Sequence, residues 1–106
     1  NGVQDRLSWM VQLPAIVAAQ PSQYKADSTV LLMVVSAGGG AELWQFVVEG
    51  EESVDGQPAL KLLRKPGKPY GTKAQVWLDP ARGYMPLRAI LTQGEDGSPL
   101  QLDLLP

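Results

Sequence analysis

The chain has 106 residues, of which 44% are hydrophobic and 19% charged, and its formal net charge at pH 7 is −2. This length suits one domain with a modest core, and the small charge gives no long-range case for nucleic acid or an anionic membrane. Cysteine and histidine are absent, which excludes disulfides, thiolate zinc sites, thiol nucleophiles and imidazole-based catalysis or metal binding. No apolar run reaches the roughly 18 residues of a transmembrane helix.

The first predicted element is a helix from Gln4 to Gln20. Its apolar residues cover more than half of the helical wheel, so we expect the helix to be largely buried. Pro14 lies in the middle, where it removes a backbone hydrogen bond and should kink or split the helix. Binding to a membrane surface is the alternative, although the polar stripe lacks the Lys and Arg that are typical of interfacial helices.

Two apolar strands are predicted after a polar connector. Six consecutive apolar residues within 28–36 indicate a strand with both faces covered, one of them by the helix. The glycine run 38–40 then predicts a turn into a second strand over 42–49. A phosphate cradle is the alternative for these glycines, but no helix is expected to follow them.

The next hairpin is predicted to turn at Asp55-Gly56 and to return over 58–65. Its register stays open, because a three-residue loop in place of a two-residue loop would set Glu49 opposite Lys61. The five charged residues from 42 to 55 are all acidic and the five from 61 to 73 are all basic. We expect these opposite charges to meet on a solvated face of the hairpin.

The alternative for the basic segment is the capture of an anionic head group or a phosphate. The residues that would do so are Lys65, Lys68, Tyr70 and Lys73. This signal is weak, because the loop does not lie between a strand and a helix.

The stretch 74–105 predicts three antiparallel strands joined by turns at 80–83 and 94–97, with Pro80 and Gly83 suited to the first turn. The expected pairs on one face are Leu78 with Met85, Val76 with Leu87, Ala74 with Ala89, Leu91 with Leu100, Ala89 with Leu102 and Leu87 with Leu104. Both turns therefore predict one continuous apolar face.

The same register predicts three pairs on the opposite face, which are Trp77 with Pro86, Gln75 with Arg88, and Arg88 with Asp103. Such cross-strand pairs stabilise a sheet by roughly 0.2–1 kcal/mol each. We therefore interpret Trp77, Tyr84, Pro86 and Arg88 as structural residues of this hairpin. The alternative is a binding platform marked by exposed aromatic side chains.

Carboxylates in or beside the predicted turns leave acid/base chemistry open by residue type alone. They are Glu51, Glu52, Asp55, Asp79, Glu95 and Asp96. Turns are where carboxylates ordinarily lie, and a short chain without His has little room to enclose such a site. We predict a protein that is not an enzyme and that has no cofactor and no metal site.

The run W-L-D-P-A-R-G-Y-M-P-L-R (Trp77 to Arg88), followed by E-D-G and an alternating strand, resembles the C-terminal half of domain-of-unknown-function family 3108. This is a family of exported proteobacterial proteins. The segments Q-D-R-L-S, E-L-W-Q-F and V-D-G-Q-P-A-L-K-L-L-R are also similar to it. The resemblance implies a periplasmic location and a curved antiparallel sheet around a helix, similar in outline to the half-barrel carriers of the Lol system, and it implies no catalytic residue.

The chain departs from that family in two ways. Pro14 interrupts a helix that is usually free of proline, and the strands expected before the helix are missing. We therefore expect a single domain over 1–106 that is a fragment of a longer exported protein. The expected fold is α+β, with the N-terminal helix packed on a curved, half-barrel-like antiparallel meander of about six strands.

The leading functional hypothesis is a non-enzymatic cell-envelope module that binds a lipid or acyl chain between helix and sheet. The expected lining is Trp9, Met10, Leu13, Leu32, Val34, Trp44, Phe46, Val76 and Leu87. A filled core made of the same residues is the alternative. The second hypothesis is a structural or protein-interaction module, whose open sheet edge pairs with its missing half, a second copy or an envelope protein.

Overall fold

A computed structural model describes residues 4–35, 39–67, 71–94 and 97–103. Within these ranges a single α-helix precedes six strands that form one antiparallel sheet. The elements are α1 (Gln4–Ala19), β1 (Thr29–Val35), β2 (Ala41–Val54), β3 (Gln57–Arg64), β4 (Thr72–Asp79), β5 (Met85–Gln93) and β6 (Leu100–Asp103). Each strand pairs with its neighbours in sequence, and the sheet does not close on itself. The predicted α+β meander is therefore confirmed.

Helix α1 buries one stripe against the sheet. Trp9, Leu13 and Val17 are spaced four residues apart and are almost fully buried, as expected of one helical face. Val11 is 70% exposed, so the expectation of a largely buried helix was wrong. Pro14 does not split the helix, which is one element of 16 residues.

The main core lies between α1 and the sheet face that we call the inner face. Its strand residues are Val30, Leu32, Trp44, Phe46, Val48, Leu62, Ala74, Val76, Leu78 and Ala89. Strand β1 contributes only alternate residues to this core, because Leu31 and Met33 point to the outer face and are more than half exposed. The expectation that both faces of β1 are covered was therefore wrong, since α1 covers only the inner one.

The β2–β3 hairpin has a two-residue turn, in which Asp55 and Gly56 both have positive φ (49° and 84°) as a type I′ turn requires. Val54 accordingly pairs with Gln57. A bulge at Glu49 shifts the register further along the hairpin. Before the bulge the even-numbered residues of β2 lie on the inner face, and after it they lie on the outer face. Val54 therefore packs on the outer face.

The predicted register of β4 and β5 was wrong. Gly83 and Tyr84 both adopt φ of 67°, so the loop includes Tyr84 and is one residue longer than expected. Asp79 therefore pairs with Met85 and not with Tyr84. A bulge at Leu87 then shifts the ladder again. The observed pairs are Val76 with Ala89, Ala74 with Leu91, Trp77 with Arg88, Leu78 with Pro86 and Gln75 with Ile90.

The predicted register of β5 and β6 is confirmed. Leu91 pairs with Leu100, Ala89 with Leu102 and Arg88 with Asp103. The predicted partner of Leu87, Leu104, lies outside the described residues.

The bulge at Leu87 also changes the face on which this side chain lies. Leu87 packs with Ile90 against a small outer-face cluster of Val54, Ala59 and Trp77. The predicted continuous inner face therefore loses Leu87, and Met85 at the start of β5 is exposed. Trp77 is nonetheless buried, because its neighbours on the outer face cover the ring.

Candidate functional site: a pocket at one end of the sheet

A pocket of about 220 Å³ opens at the end of the sheet where β3 ends and β4 begins. The described lining comes from α1, from strands β2, β4, β5 and β6 and from the loop before β6, and consists of Trp9, Trp44, Thr72, Leu91, Gln93, Ser98 and Leu100. Trp44 in β2 and Leu100 in β6 lie four strands apart along the sheet, so a shared pocket requires the sheet to curve around α1. A cavity of about 150 Å³ holds benzene, so this pocket has room for one ring or a short acyl segment.

An aromatic cluster forms the inner wall of the pocket. The ring of Trp9 lies 5.6 Å from that of Trp44 and 5.4 Å from that of Phe46, both in tilted arrangements. Such offset contacts stabilise beyond the apolar area that they bury. The indole N–H of Trp9 is buried and has no hydrogen-bond partner among the described residues. A buried donor without a partner is costly, so this atom is an unusual feature of the aromatic cluster.

The polar edge of the pocket is organised around Arg64, which is only 7% exposed. Its guanidinium carbon lies 4.1 Å from the centre of the Trp44 ring. One guanidinium nitrogen donates to the Thr72 carbonyl, and the other lies 2.8 Å from Oε1 of Glu42. The same carboxylate oxygen accepts from Trp44 Nε1 over 2.9 Å. Glu42 and Arg64 thus hold the Trp44 ring in place and neutralise each other.

Two polar side chains extend this edge toward β5. The hydroxyl of Thr72 donates to the side-chain oxygen of Gln93 over 2.8 Å. Both side chains are accessible to solvent. The described lining contains no ionisable side chain, so the pocket is apolar with uncharged polar groups at its mouth.

The structure brings only two of the predicted ligand-lining residues to this pocket, Trp9 and Trp44. Leu13, Leu32, Phe46 and Val76 lie in the buried core, while Met10 and Val34 pack against its margin. Leu87 lies on the outer face, which corrects its predicted position. Five further lining residues were missed, although the pairing of Leu91 with Leu100 was a signal for two of them.

The predicted meeting of opposite charges on the β2–β3 hairpin is confirmed. Lys61 Nζ lies 3.2 Å from Glu49 and 3.9 Å from Glu52, and it sits 5.4 Å from the centre of the Trp77 ring. Trp77 also donates to Glu52 over 3.3 Å. This outer-face group repeats the chemistry of the Arg64 group, with a cation and a carboxylate around a tryptophan.

The remaining residues of the predicted hairpin motif have structural contacts. Pro80 begins a short 3₁₀ turn, and the Asp79 side chain accepts from the Ala81 N–H over 2.9 Å. Tyr84 packs against the margin of the main core. Pro86 pairs with Leu78 and not with Trp77.

Arg88 is the centre of a small ion-pair group at the outer face. Its Nε lies 2.7 Å from Asp103 Oδ1, and its Nη2 lies 3.3 Å from Asp55 Oδ2. Hydrogen bonds from Arg88 and Gln101 hold the pKa of the Asp103 carboxyl below its ordinary value. The Asp103 hydrogen bond likewise raises the pKa of Arg88.

The other candidate sites are only partly described. Lys65 and Lys73 are exposed, whereas Lys68 and Tyr70 of the predicted anion site lie outside the described residues, as do Gly38, Glu95 and Asp96. The described residues contain no group of three or more potential metal ligands. Among the described helices, none has the length and apolar character needed to cross a membrane.

Comparisons with known proteins add no assignment. No protein-family model matches the chain, and neither a curated protein nor a solved structure is significantly similar to it. The resemblance to family 3108, and the periplasmic location that it implies, therefore stay predictions.

Proposed function

We propose that this domain is a non-enzymatic module that binds a small hydrophobic group in the pocket between Trp9, Trp44, Leu91 and Leu100. The observation that carries the proposal is the pocket itself, an apolar space of about 220 Å³ walled by two tryptophans. Ligand sites are typically concave and apolar with a few polar groups at fixed positions. The group that enters is one ring or a short acyl segment, and a longer chain would extend past the mouth.

Binding is favoured over catalysis by the chemistry of the lining. Acid/base catalysis needs a titratable group within hydrogen-bond reach of the reacting atoms, and the described lining has none. Arg64 and Glu42, the charged residues that contact Trp44, are paired with each other. The cell-envelope role remains part of the proposal on the strength of the sequence resemblance.

Tryptophan emission tests the proposal, because two of the three tryptophans line the pocket. We expect a saturable change in emission when the chain is titrated with cyclohexane or cyclohexanone. Leu100→Glu places a charge at the mouth and should abolish the change. Leu31→Glu is the matched control, since both leucines are 53% exposed but Leu31 lies on the outer face. No saturable change with either compound contradicts the proposal.

A second candidate function is association through the edge strand β1. This strand carries no charged residue in its seven positions, whereas exposed edges are normally protected by charges, proline or bulges. Leu31 and Met33 are exposed on its outer face, beside exposed Leu43 and Val47 of β2. The occupant that we propose for this edge is a second copy of the chain.

The sequence of β1 is self-complementary in an antiparallel pairing. The Val48 N–H donates to the Ser28 carbonyl. Because alternate residues of an antiparallel strand bond to the same neighbour, the even-numbered residues of β1 bond to β2. The backbone N–H and C=O groups of Leu31 and Met33 therefore point away from β2, toward the open edge. A two-fold arrangement that sets Leu31 of one copy opposite Met33 of the other pairs these groups. It also continues the outer apolar surface across both copies.

Light scattering coupled to size exclusion tests this second candidate. We expect a dimer whose population rises with concentration, and we expect Leu31→Glu to convert it to a monomer. Here Leu100→Glu serves as the control and should leave the dimer intact. A wild-type chain that stays monomeric at its highest soluble concentration contradicts the pairing.

A further inference from the structure

Two exposed lysines lie side by side on the outer face, at the end of the sheet where β3 ends and β4 begins. Arg64 of β3 is paired with Ala74 of β4, and both side chains point to the inner face. The next position along the two strands sets Lys65 opposite Lys73, and side chains one residue on point to the outer face. Like charges directly opposite each other destabilise a sheet. We call these two residues the lysine pair.

The described residues do not neutralise the lysine pair. Both side chains are exposed, and neither forms an ion pair with a described carboxylate. By contrast, Lys61, Arg64 and Arg88 on the same strands each form an ion pair. The two ammonium groups are therefore available to an anionic partner.

Exposed apolar side chains lie beside the lysine pair on the same face. They form what we call the outer apolar patch, with exposed fractions from 36% to 58%, and are Leu31 and Met33 of β1 and Leu43 and Val47 of β2. Met33 is directly opposite Leu43 in the ladder. Val47 is paired with Leu63, which lies two residues before Lys65 on the same face. The outer apolar patch and the lysine pair thus form one continuous surface across β1 to β4.

We infer that the outer apolar patch and the lysine pair bind the surface of an anionic lipid membrane. The apolar side chains enter the boundary between head groups and acyl chains, and the lysine pair contacts lipid phosphates. Buried apolar area and nearby cations are the two contributions that hold a protein at such a surface. The net charge of −2 gives no long-range attraction, so the binding depends on these local contacts. The inference is independent of the proposed pocket, which lies on the inner face.

Other partners fit this surface less well. In a two-fold contact between copies the surface would meet itself, and the residues that form it include no carboxylate to neutralise the lysines of the second copy. An extended peptide binds a sheet by pairing with an edge strand, whereas β2 and β3 are already paired on both sides. A lipid surface needs neither a carboxylate nor a free strand edge.

Flotation with lipid vesicles provides the test. Vesicles made of equal parts of phosphatidylcholine and phosphatidylglycerol should bind the chain, and vesicles of phosphatidylcholine alone should bind it at least about fivefold more weakly. A high concentration of sodium chloride should weaken binding to the anionic vesicles, because salt screens the attraction between the lysine pair and the lipid phosphates.

Substitutions in the lysine pair test the charge contribution. Lys65→Gln and Lys73→Gln should each weaken binding to the anionic vesicles about fivefold, the factor expected for one lysine near an anionic surface. Lys25→Gln is the matched control, because it removes the same charge from the exposed connector between α1 and β1. Urea unfolding should show no loss of stability for either variant of the pair, since each relieves the repulsion between the two lysines.

A substitution in the outer apolar patch tests the apolar contribution. Leu43→Gln should weaken binding to the anionic vesicles about tenfold, because the side chain no longer enters the acyl boundary. Leu100→Gln is the matched control. These leucines are exposed to similar extents, 58% for Leu43 and 53% for Leu100, but Leu100 lies on the inner face at the pocket.

The outcomes separate this inference from the proposed pocket. Absence of binding to the anionic vesicles overturns it, as do equal effects of Lys73→Gln and Lys25→Gln. If poly-glutamate binds through the lysine pair and the vesicles do not, the partner is an acidic protein and the lipid surface is overturned. Each of these results leaves the proposed pocket function standing, because cyclohexane and cyclohexanone test the inner face alone.

Discussion

Arg88 of β5 donates from Nε to Oδ1 of Asp103 in β6 over 2.7 Å. These two residues are directly opposite each other in the β5–β6 ladder. The second guanidinium nitrogen of Arg88 reaches Asp55 in the turn after β2. Arg88 thus connects β6 to the turn between β2 and β3. Both of its ion pairs lie on the outer face, opposite the pocket.

The Arg88–Asp103 pair predicts a pH dependence of stability. Its hydrogen bonds lower the folded-state pKa of Asp103, so the pair stabilises the fold above the ordinary aspartate pKa of about 4. This stability is lost as the pH falls below that value and the carboxyl protonates. Asp103→Asn should flatten the acid side of the stability profile, measured by urea unfolding from neutral to acid pH. The exposed Glu51, changed to Gln, is the control, and an equal effect of both variants contradicts the prediction.

Because α1 buries only one stripe, substitutions at Leu13 and Val11 should change the free energy of unfolding by very different amounts. Leu13→Ala should lower the free energy of unfolding by about 2–5 kcal/mol, because it leaves a cavity between helix and sheet. Val11→Ala should change it by less than about 0.5 kcal/mol, since Val11 is exposed. Urea unfolding of both variants measures the difference. Similar losses at the two positions would mean that α1 is largely buried, as its apolar residues first indicated.

The part of the fold that the sequence predicted depends on local signals. The pairing of Leu91 with Leu100 follows from a turn that begins after Gln93, and the apolar alternation on both strands supports the same register. The register of β4 and β5 failed because Tyr84, a non-glycine residue, adopts a positive φ. The bulge at Leu87 then removed that side chain from the inner face. Neither event has a residue-type signal as strong as an Asn-Gly or Asp-Gly turn.

The candidate site was harder to predict than the fold. Trp9 and Trp44 were expected near the ligand because the ligand was expected between the helix and the sheet, and Leu91 and Leu100 were expected to be paired. The two tryptophans meet Leu91 and Leu100 only because the sheet curves and brings β2 toward β6. Curvature is set by twist and bulges along the whole sheet, so no short stretch of sequence specifies it.

Arg64 should contribute to stability through packing and hydrogen bonding more than through charge. Arg64→Met keeps the apolar stem but leaves the Thr72 carbonyl without this donor and removes the cation from the Trp44 ring. Glu42 is largely exposed and is rehydrated in the variant, so we expect a loss of only about 1–3 kcal/mol. Lys73→Met, at an exposed position of β4, is the control and should cost less than about 0.5 kcal/mol. Urea unfolding measures both, and equal losses contradict the prediction.

Gly97 immediately precedes the pocket residue Ser98. A Cβ at this position would overlap the carbonyl oxygen of Gln93 and come within 2.9 Å of its carbonyl carbon. Both atoms belong to the backbone, so the chain and not a flexible side chain must move. Gly97→Ala should therefore lower the free energy of unfolding by about 1–3 kcal/mol and should weaken cyclohexanone binding by displacing the start of β6.

Gly67 provides the matched control for this steric argument. An added Cβ at Gly67 meets no described heavy atom within 4 Å, and the change from glycine to alanine reduces the freedom of the unfolded chain equally at both positions. Gly67→Ala should therefore be neutral or slightly stabilising in urea unfolding. If Gly97→Ala is as well tolerated as Gly67→Ala, the loop before β6 can shift at little cost. The wall of the pocket formed by Ser98 and Leu100 is then not fixed by the contact between Gly97 and Gln93.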